Sequence, residues 1–182
     1  MILVSIVAVI VLFFSFIGGL KEGAVKNFFS LIALLIAIPI TATSFHLLAT
    51  ILSFLPGDDW NSFIGFFISL AFIAAILHIA FFLPRRFIQK VWNKGLLFRS
   101  TGGALNVLDT AIGLAVFALI VRTYPIIDWL ERAVTDSSAL TWLVTHLGFV
   151  ETLLGNALRD RGIAVFAEPI LSLMSQIVLV SP

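Results

Sequence analysis

From Asn27 to Gly57 the chain carries no Asp, Glu, Lys or Arg. Residues 1–20 and 60–84 are equally free of charge, and residues 100–121 hold one charged side chain, Asp109. A helix rises about 1.5 Å per residue, so a hydrocarbon core of about 30 Å takes roughly 20 residues to cross. Each of the four stretches reaches that length. In hydrocarbon every backbone N–H and C=O must be satisfied within the protein, which leaves the helix as the form for such segments. Composition agrees. Charged residues make up 12% of the chain and hydrophobic ones 60%, whereas a soluble domain carries about 25% charged residues. There is too little polar surface to cover a water-soluble globule.

The expected fold is therefore an all-α membrane protein: a bundle of four transmembrane helices over residues 1–123, then an amphipathic helical tail over 124–182. The first stretch has the length of a signal-peptide core, but no basic residue precedes it and Gly18-Gly19-Leu20 is no small-x-small cleavage site, so it reads as an uncleaved span. The second stretch exceeds one crossing. Its crossing is expected over residues 28–48, continuing at the interface to Leu55 before Pro56-Gly57 turns the chain. Pro39 removes a backbone donor within it and argues for a kink, with Thr41, Thr43 and Ser44 placed to satisfy freed carbonyls.

The connections set the orientation. The segment from Gly18 to Lys26 holds Lys21 and Lys26, and the segment from Pro84 to Ala104 holds Arg85, Arg86, Lys90, Lys94 and Arg99. The intervening connection, Pro56 to Asn61, holds Asp58 and Asp59 and no basic residue. The positive-inside rule puts the two basic connections in the cytoplasm and both termini outside. Trp60 and Trp92 fall at span edges, where amphipathic rings are favoured. In the third connection Phe87, Ile88, Val91 and Trp92 share one helical face. Arg85, Arg86, Gln89, Lys90, Asn93 and Lys94 share the other, and Gly95 supplies a stop. This predicts a short basic helix on an anionic leaflet, with Arg85, Arg86, Lys90 and Lys94 as the lipid contacts. Ser100-Thr101-Gly102-Gly103 is then expected to break the chain ahead of the fourth span. In the tail, Leu140, Leu143, Val144 and Leu147 repeat at helical spacing, and Phe166, Ile170, Leu173, Met174 and Ile177 form a second set. A fifth span near 163–180 is disfavoured by Glu168, which costs about 2.5–3.5 kcal/mol if placed centrally.

Few residues offer chemistry. Asp109 is an intramembrane carboxylate, by default a proton or cation site. The blander reading places it in the first two turns of its helix, at the positive dipole end, with Arg99 or Lys94 as partner. His46 and His78 are candidate relay or ligand residues. They sit at opposite depths, so helix–helix hydrogen bonding is the plainer account of each. His146 belongs to the polar face of an outer helix. Small residues recur at four-residue spacing in Ala33/Ala37, Gly65/Ser69, Ala71/Ala75 and Ala111/Ala115, which permits close helix approach. Gly19 and Gly23 have the same spacing but flank Lys21 and Glu22, and read as a turn. There is no Cys, no nucleophile with a base and no phosphate loop. With a net charge of +1, there is no field for nucleic acid. No cofactor and no enzymatic activity are expected.

Two segments resemble the colicin V production protein (CvpA) family. Gly23-Ala24-Val25-Lys26-Asn27-Phe28-Phe29-Ser30-Leu31, following Gly19 and Lys21, is similar to the family's glycine-and-base turn. Leu108-Asp109-Thr110-Ala111-Ile112-Gly113 is similar to its Asp-Arg-x-x-Gly entry to the last span. Thr110 stands where Arg is usual, and Phe117 where a further Gly often stands. The resemblance covers about residues 1–122. It implies a small bacterial inner-membrane protein associated with peptide-toxin export or envelope upkeep. The expectation is an accessory or scaffold protein whose partners are the bilayer and either a membrane protein or further copies of itself. The alternative is an oligomeric solute or ion transporter or channel subunit, with Asp109 and His78 lining its path.

Overall fold

The computed structural model of the chain describes residues 2–51, 58–92, 95–124 and 126–155. Four long helices are apolar enough to cross a membrane: α1 (Ile2–Glu22), α2 (Ala24–Ile51), α3 (Asp58–Ala80) and α5 (Leu96–Thr123). Between α3 and α5 lies the short α4 (Phe82–Trp92). After α5 come α6 (Asp128–Thr135), α7 (Ser138–His146) and α8 (Phe149–Leu153). No strand occurs among the described residues.

α5 is the centre of the molecule. It packs along α1 on one side and α2 on the other, and α3 packs on the far side of α2. One core joins Ile38 and Phe45 of α2, Phe66 of α3, Val116 and Ile120 of α5, and Val150 of α8. A second joins Ala8 of α1, Ala111, Ala118 and Val121 of α5, Val134 of α6, and Leu140 and Leu143 of α7. Three of the four small-residue pairs, Ala33/Ala37, Gly65/Ser69 and Ala111/Ala115, are buried in these contacts, whereas Ala71/Ala75 is exposed. α1 leaves most of its length uncovered, with Leu3, Phe13 and Phe14 each more than 60% exposed. Such a surface suits lipid and no aqueous phase.

The helices run longer than the sequence pattern suggested, for identifiable reasons. The basic segment between α1 and α2 contracts to a single residue, Gly23, whose φ of 85° suits a residue without Cβ. Its N–H bonds to the Gly19 carbonyl at 3.0 Å, and Asn27 N–H bonds back to the Gly23 carbonyl at 3.4 Å. Ser100 to Gly103 does not break the chain: α5 begins at Leu96, behind Gly95 at φ 144°, and runs straight through the glycines. In a membrane helix the ladder is hard to open, and glycine serves close approach of neighbours instead. α2 passes through Pro39 without interruption. Thr43 and Ser44 do bond back to the backbone, but to Pro39 and Ile40, one turn beyond the carbonyl the proline frees. Thr41 Oγ1 is buried without a hydrogen-bond partner. The basic amphipathic helix forms as α4, with the Arg86 guanidinium 4.6 Å above the centre of the Phe82 ring. The Pro56-Gly57 turn, Lys94, the second tail helix and the 163–180 segment lie outside the described residues.

The first part of the tail folds onto one end of the bundle. Ser137 is fully buried and caps α7, accepting from Leu140 N–H at 3.4 Å. Its hydroxyl also meets that of Ser5 at 2.9 Å, which ties the cap to the start of α1. Leu140 and Leu143 point inward and Trp142 outward, as the periodicity requires. α6 to α8 thus cover the end opposite the basic turn.

Two glycines of α5 give opposite expectations. A Cβ on Gly102 would fall 2.7 Å from the Gly19 carbonyl oxygen, whereas one on Gly113 meets nothing within 4 Å. Gly102→Val should destabilise the fold in detergent by at least about 1–3 kcal/mol through overpacking. Gly113→Val should be close to neutral. Denaturant titration in mixed micelles, followed by helical signal, measures the difference.

Candidate functional site

One cluster of polar side chains that bond between the spans lies toward the end bearing Lys21 and Lys26. Their arrangement starts from the α1–α5 crossing. A Cβ on Gly19 would lie 2.5 Å from the Gly102 carbonyl oxygen, and one on Gly103 would lie 2.8 Å from the Phe16 ring. Only glycine permits that approach. Gly23 is the turn the sequence suggested, but the reading of Gly19 as a turn residue is corrected: Gly19 is helical and forms the contact face of α1.

Asn27, at the start of α2, locks this crossing. It is 1% exposed. Its Nδ2 donates to the carbonyls of Gly102 at 2.9 Å and Gly19 at 3.3 Å, so one amide bridges three helices. Below it, Ser15 Oγ donates to the Asn106 carbonyl at 2.8 Å and lies 2.6 Å from Thr110 Oγ1, while Asn106 Nδ2 donates to the Ser15 carbonyl at 2.7 Å. Thr110, standing where the resemblance leads one to expect Arg, is thus matched to Ser15. Lys21 is exposed, and Lys26 pairs with Glu22 one turn away.

Asp109 is next along α5. The reading that placed it near the helix start fails, because α5 begins at Leu96, about 20 Å away along the axis. The dipole acts within the first turn and does not reach that far. Arg99 is not its partner either, being about 15 Å distant on the same helix. Instead Ser30 Oγ of α2 donates to Oδ2 at 3.2 Å. Oδ1 is enclosed and has no hydrogen-bond partner. Ser30 lies about 10 Å along α2 from Gly23, so the pair sits well beneath the turn. His78 lies in the last turn of α3 and is exposed.

The other candidates do not join this group. His46 belongs to the far part of α2, beyond Phe45, and its side chain lies outside the described residues. His146 ends α7 at the opposite face, stacked on Trp142 at 4.1 Å. Gly113 lies mid-helix beside open space and is not needed for close packing. Beyond it the seam turns apolar: Phe117 meets Phe67, and an open groove of about 410 Å³ is lined by Phe63, Ile64, Phe67, Ile68, Ala71 and Phe117. On α4, Arg86 is exposed and Arg85 half-buried, while nothing is described of the Lys90 side chain. Among the described residues no three His, Cys, Asp or Glu gather as a metal site.

The turn from Gly19 to Asn27, locked onto Gly102, coincides with the segment that resembles the family's glycine-and-base motif. The chain matches the family described as Colicin V production protein over residues 4–148. It belongs to that family. No curated protein and no solved structure matches it. The match runs past the end of α5 and through α7, further than the resemblance drawn from sequence. The part of the cap formed by α6 and α7 thus lies within the colicin V production match, together with the four spans.

Several residues of this site were not singled out from sequence. Asn27 lay inside the family-like segment, and its amide four residues after Gly23 and eight after Gly19 was the available signal. Ser15, Asn106 and Thr110 were hidden because a hydroxyl or amide on an apolar helix reads as backbone-bonded unless its neighbour is known. Asn27→Leu tests the lock. It should cost about 0.6 kcal/mol, up to about 1.7, the range of interhelical hydrogen bonds in membranes. Unfolding of the reconstituted variant measures the loss.

Proposed function

We propose that this colicin V production family member is a bacterial inner-membrane accessory or scaffold protein that serves toxin export or envelope maintenance without catalysing a reaction itself. The observation that carries the reading is the division of the molecule into a rigid centre and two outward-facing ends. The centre is α5, clamped by α1 and α2. One end is the basic α4, with Arg85 and Arg86 directed to anionic lipid or an acidic partner. The other is the cap, which exposes Trp129, Trp142 and Phe149 at 65%, 58% and 45%. Aromatic residues of this kind are enriched in protein contacts and at membrane interfaces. The partner is a membrane protein or a second copy of the chain. The apolar seam beyond Gly113, closed by Phe67 against Phe117, supports this reading over a continuous polar path for a transporter.

In this reading the basic end faces the cytoplasm, and the cap with both termini lies outside. Topology reporters fused after Leu55, after Gly95 and at Pro182 should report outside, inside and outside. An inverted pattern would move both proposed contact surfaces to the wrong compartments. Affinity capture in mild detergent should recover a reproducible membrane partner or a self-assembly. Replacing Trp129 and Trp142 by Ser should reduce recovery at least about tenfold if either ring is an interface anchor worth more than about 1.4 kcal/mol. Recovery of nothing reproducible from the wild type would count against a scaffold.

A further inference from the structure

We propose that Thr41 of α2 and Ser69 of α3 together hold one buried water molecule in the seam between these two spans, and that this bridge sets the register of α3 on α2. The inference is independent of the scaffold reading and of any partner protein.

Two ring contacts align the helices and show that they run antiparallel. Phe45 meets Phe66 with ring centres 5.8 Å apart, and Phe29 meets Phe81, directly after α3, at 5.6 Å. Thr41 lies four residues from Phe45 and Ser69 three from Phe66, both toward the basic end. Those steps are about 6 Å and about 4.5 Å along the axes. Taken from the other contact, each residue lies twelve positions away, about 18 Å. Thr41 and Ser69 therefore stand at the same level. They also stand on facing sides, because residues three and four apart share one face of a helix.

Both are sealed from lipid, Thr41 at 0% and Ser69 at 2% exposure. Yet neither Thr41 Oγ1 nor Ser69 Oγ has a hydrogen-bond partner in the protein. The hydroxyls of Thr43 and Ser44, on the same stretch of α2, bond back to the carbonyls of Pro39 and Ile40. A buried hydroxyl without a partner is costly, and two at one level share one remedy. A buried water needs at least two polar partners, and a hydroxyl offers one donor and two acceptor positions. Thr41 donates to the water, the water donates to Ser69 Oγ, and the Ser69 proton goes to the Gly65 carbonyl one turn back. Buried Ala37 and Ala42 on α2 and Gly65 on α3 let the two backbones approach, so that one water reaches both hydroxyls. Unlike the ring contacts, such a bridge has direction. A slip of α3 by one residue turns Ser69 about 100° away from Thr41 and breaks it.

The test is infrared difference spectroscopy of the full chain in vesicles of phosphatidylethanolamine and phosphatidylglycerol, in heavy water made with ordinary and with heavy oxygen. The O–D stretch of a bound water shifts with the oxygen isotope, and that of a protein hydroxyl does not. One isotope-sensitive O–D band of the wild type should be lost in both Thr41→Val and Ser69→Ala, and kept in Thr41→Ser, which retains the hydroxyl. A water spectrum that neither Thr41→Val nor Ser69→Ala alters would overturn the site, as would loss of a different band in each. A double-mutant cycle gives the second measurement. Each single variant should lower the folding equilibrium constant about threefold, and the double variant no further. Additive losses, or single variants as stable as the wild type, would mean that each hydroxyl serves only its own helix. If one variant does not fold, the band in the other, set against Thr41→Ser, decides.

Discussion

Where α1 crosses α5, two backbones come so close that one methyl group on Gly19 would sit 2.5 Å from a carbonyl oxygen of Gly102. Lipid tails are as apolar as leucine, so nothing like the hydrophobic effect pushes two spans together inside a bilayer. Association rests on van der Waals contact and interhelical hydrogen bonds. Glycines maximise the first, and Asn27 supplies the second by bonding both approaching carbonyls. Because α2 leaves α1 through the single residue Gly23, this crossing also fixes where α2 starts and which face it turns to α5. The placement of Ser30 against Asp109 follows from it.

Much of this architecture was legible in the chain, because hydropathy reports the solvent directly. Three charge-free stretches and a fourth holding only Asp109 became α1, α2, α3 and α5, the basic face after Pro84 became α4, and Leu140, Leu143 and Val144 became the inner face of α7, with Leu147 at its C-cap. The misreadings share one cause. Glycines, serines and threonines were read by their habits in water, where Gly102-Gly103 breaks a helix and Gly19 marks a turn. In hydrocarbon a broken ladder has no water to satisfy it, so the helices ran on and the same residues became contact surfaces. Asp109 was misplaced for the same reason: with α5 begun at Ser100 it fell near a helix end, and with α5 begun at Leu96 it does not.

The cap changes what the spans must do alone. Val150 and Leu154 of the tail enter the same core as Phe45, Phe66 and Tyr124, and Ser137 reaches back to Ser5. The tail therefore adds burial at the end where α1 has least contact with α2. The family match extending into α7 fits a cap that is packed with the spans.

The two halves of the interhelical seam are held by different forces. Toward the basic turn, glycine contact and directed hydrogen bonds from Asn27, Ser15 and Asn106 hold the helices together. Toward the cap, rings meet rings: Phe45 with Phe66 and Tyr124, Phe67 with Phe117. Such ring pairs contribute about 0.5–1.5 kcal/mol each beyond the area they bury, whereas the glycine crossing depends on the absence of a Cβ. α3 is tied into the second kind of contact far more than the first. It joins the spans through Phe66 on Phe45 and Phe67 on Phe117, whereas α1 and α2 hold α5 by close approach and the Asn27 hydrogen bonds.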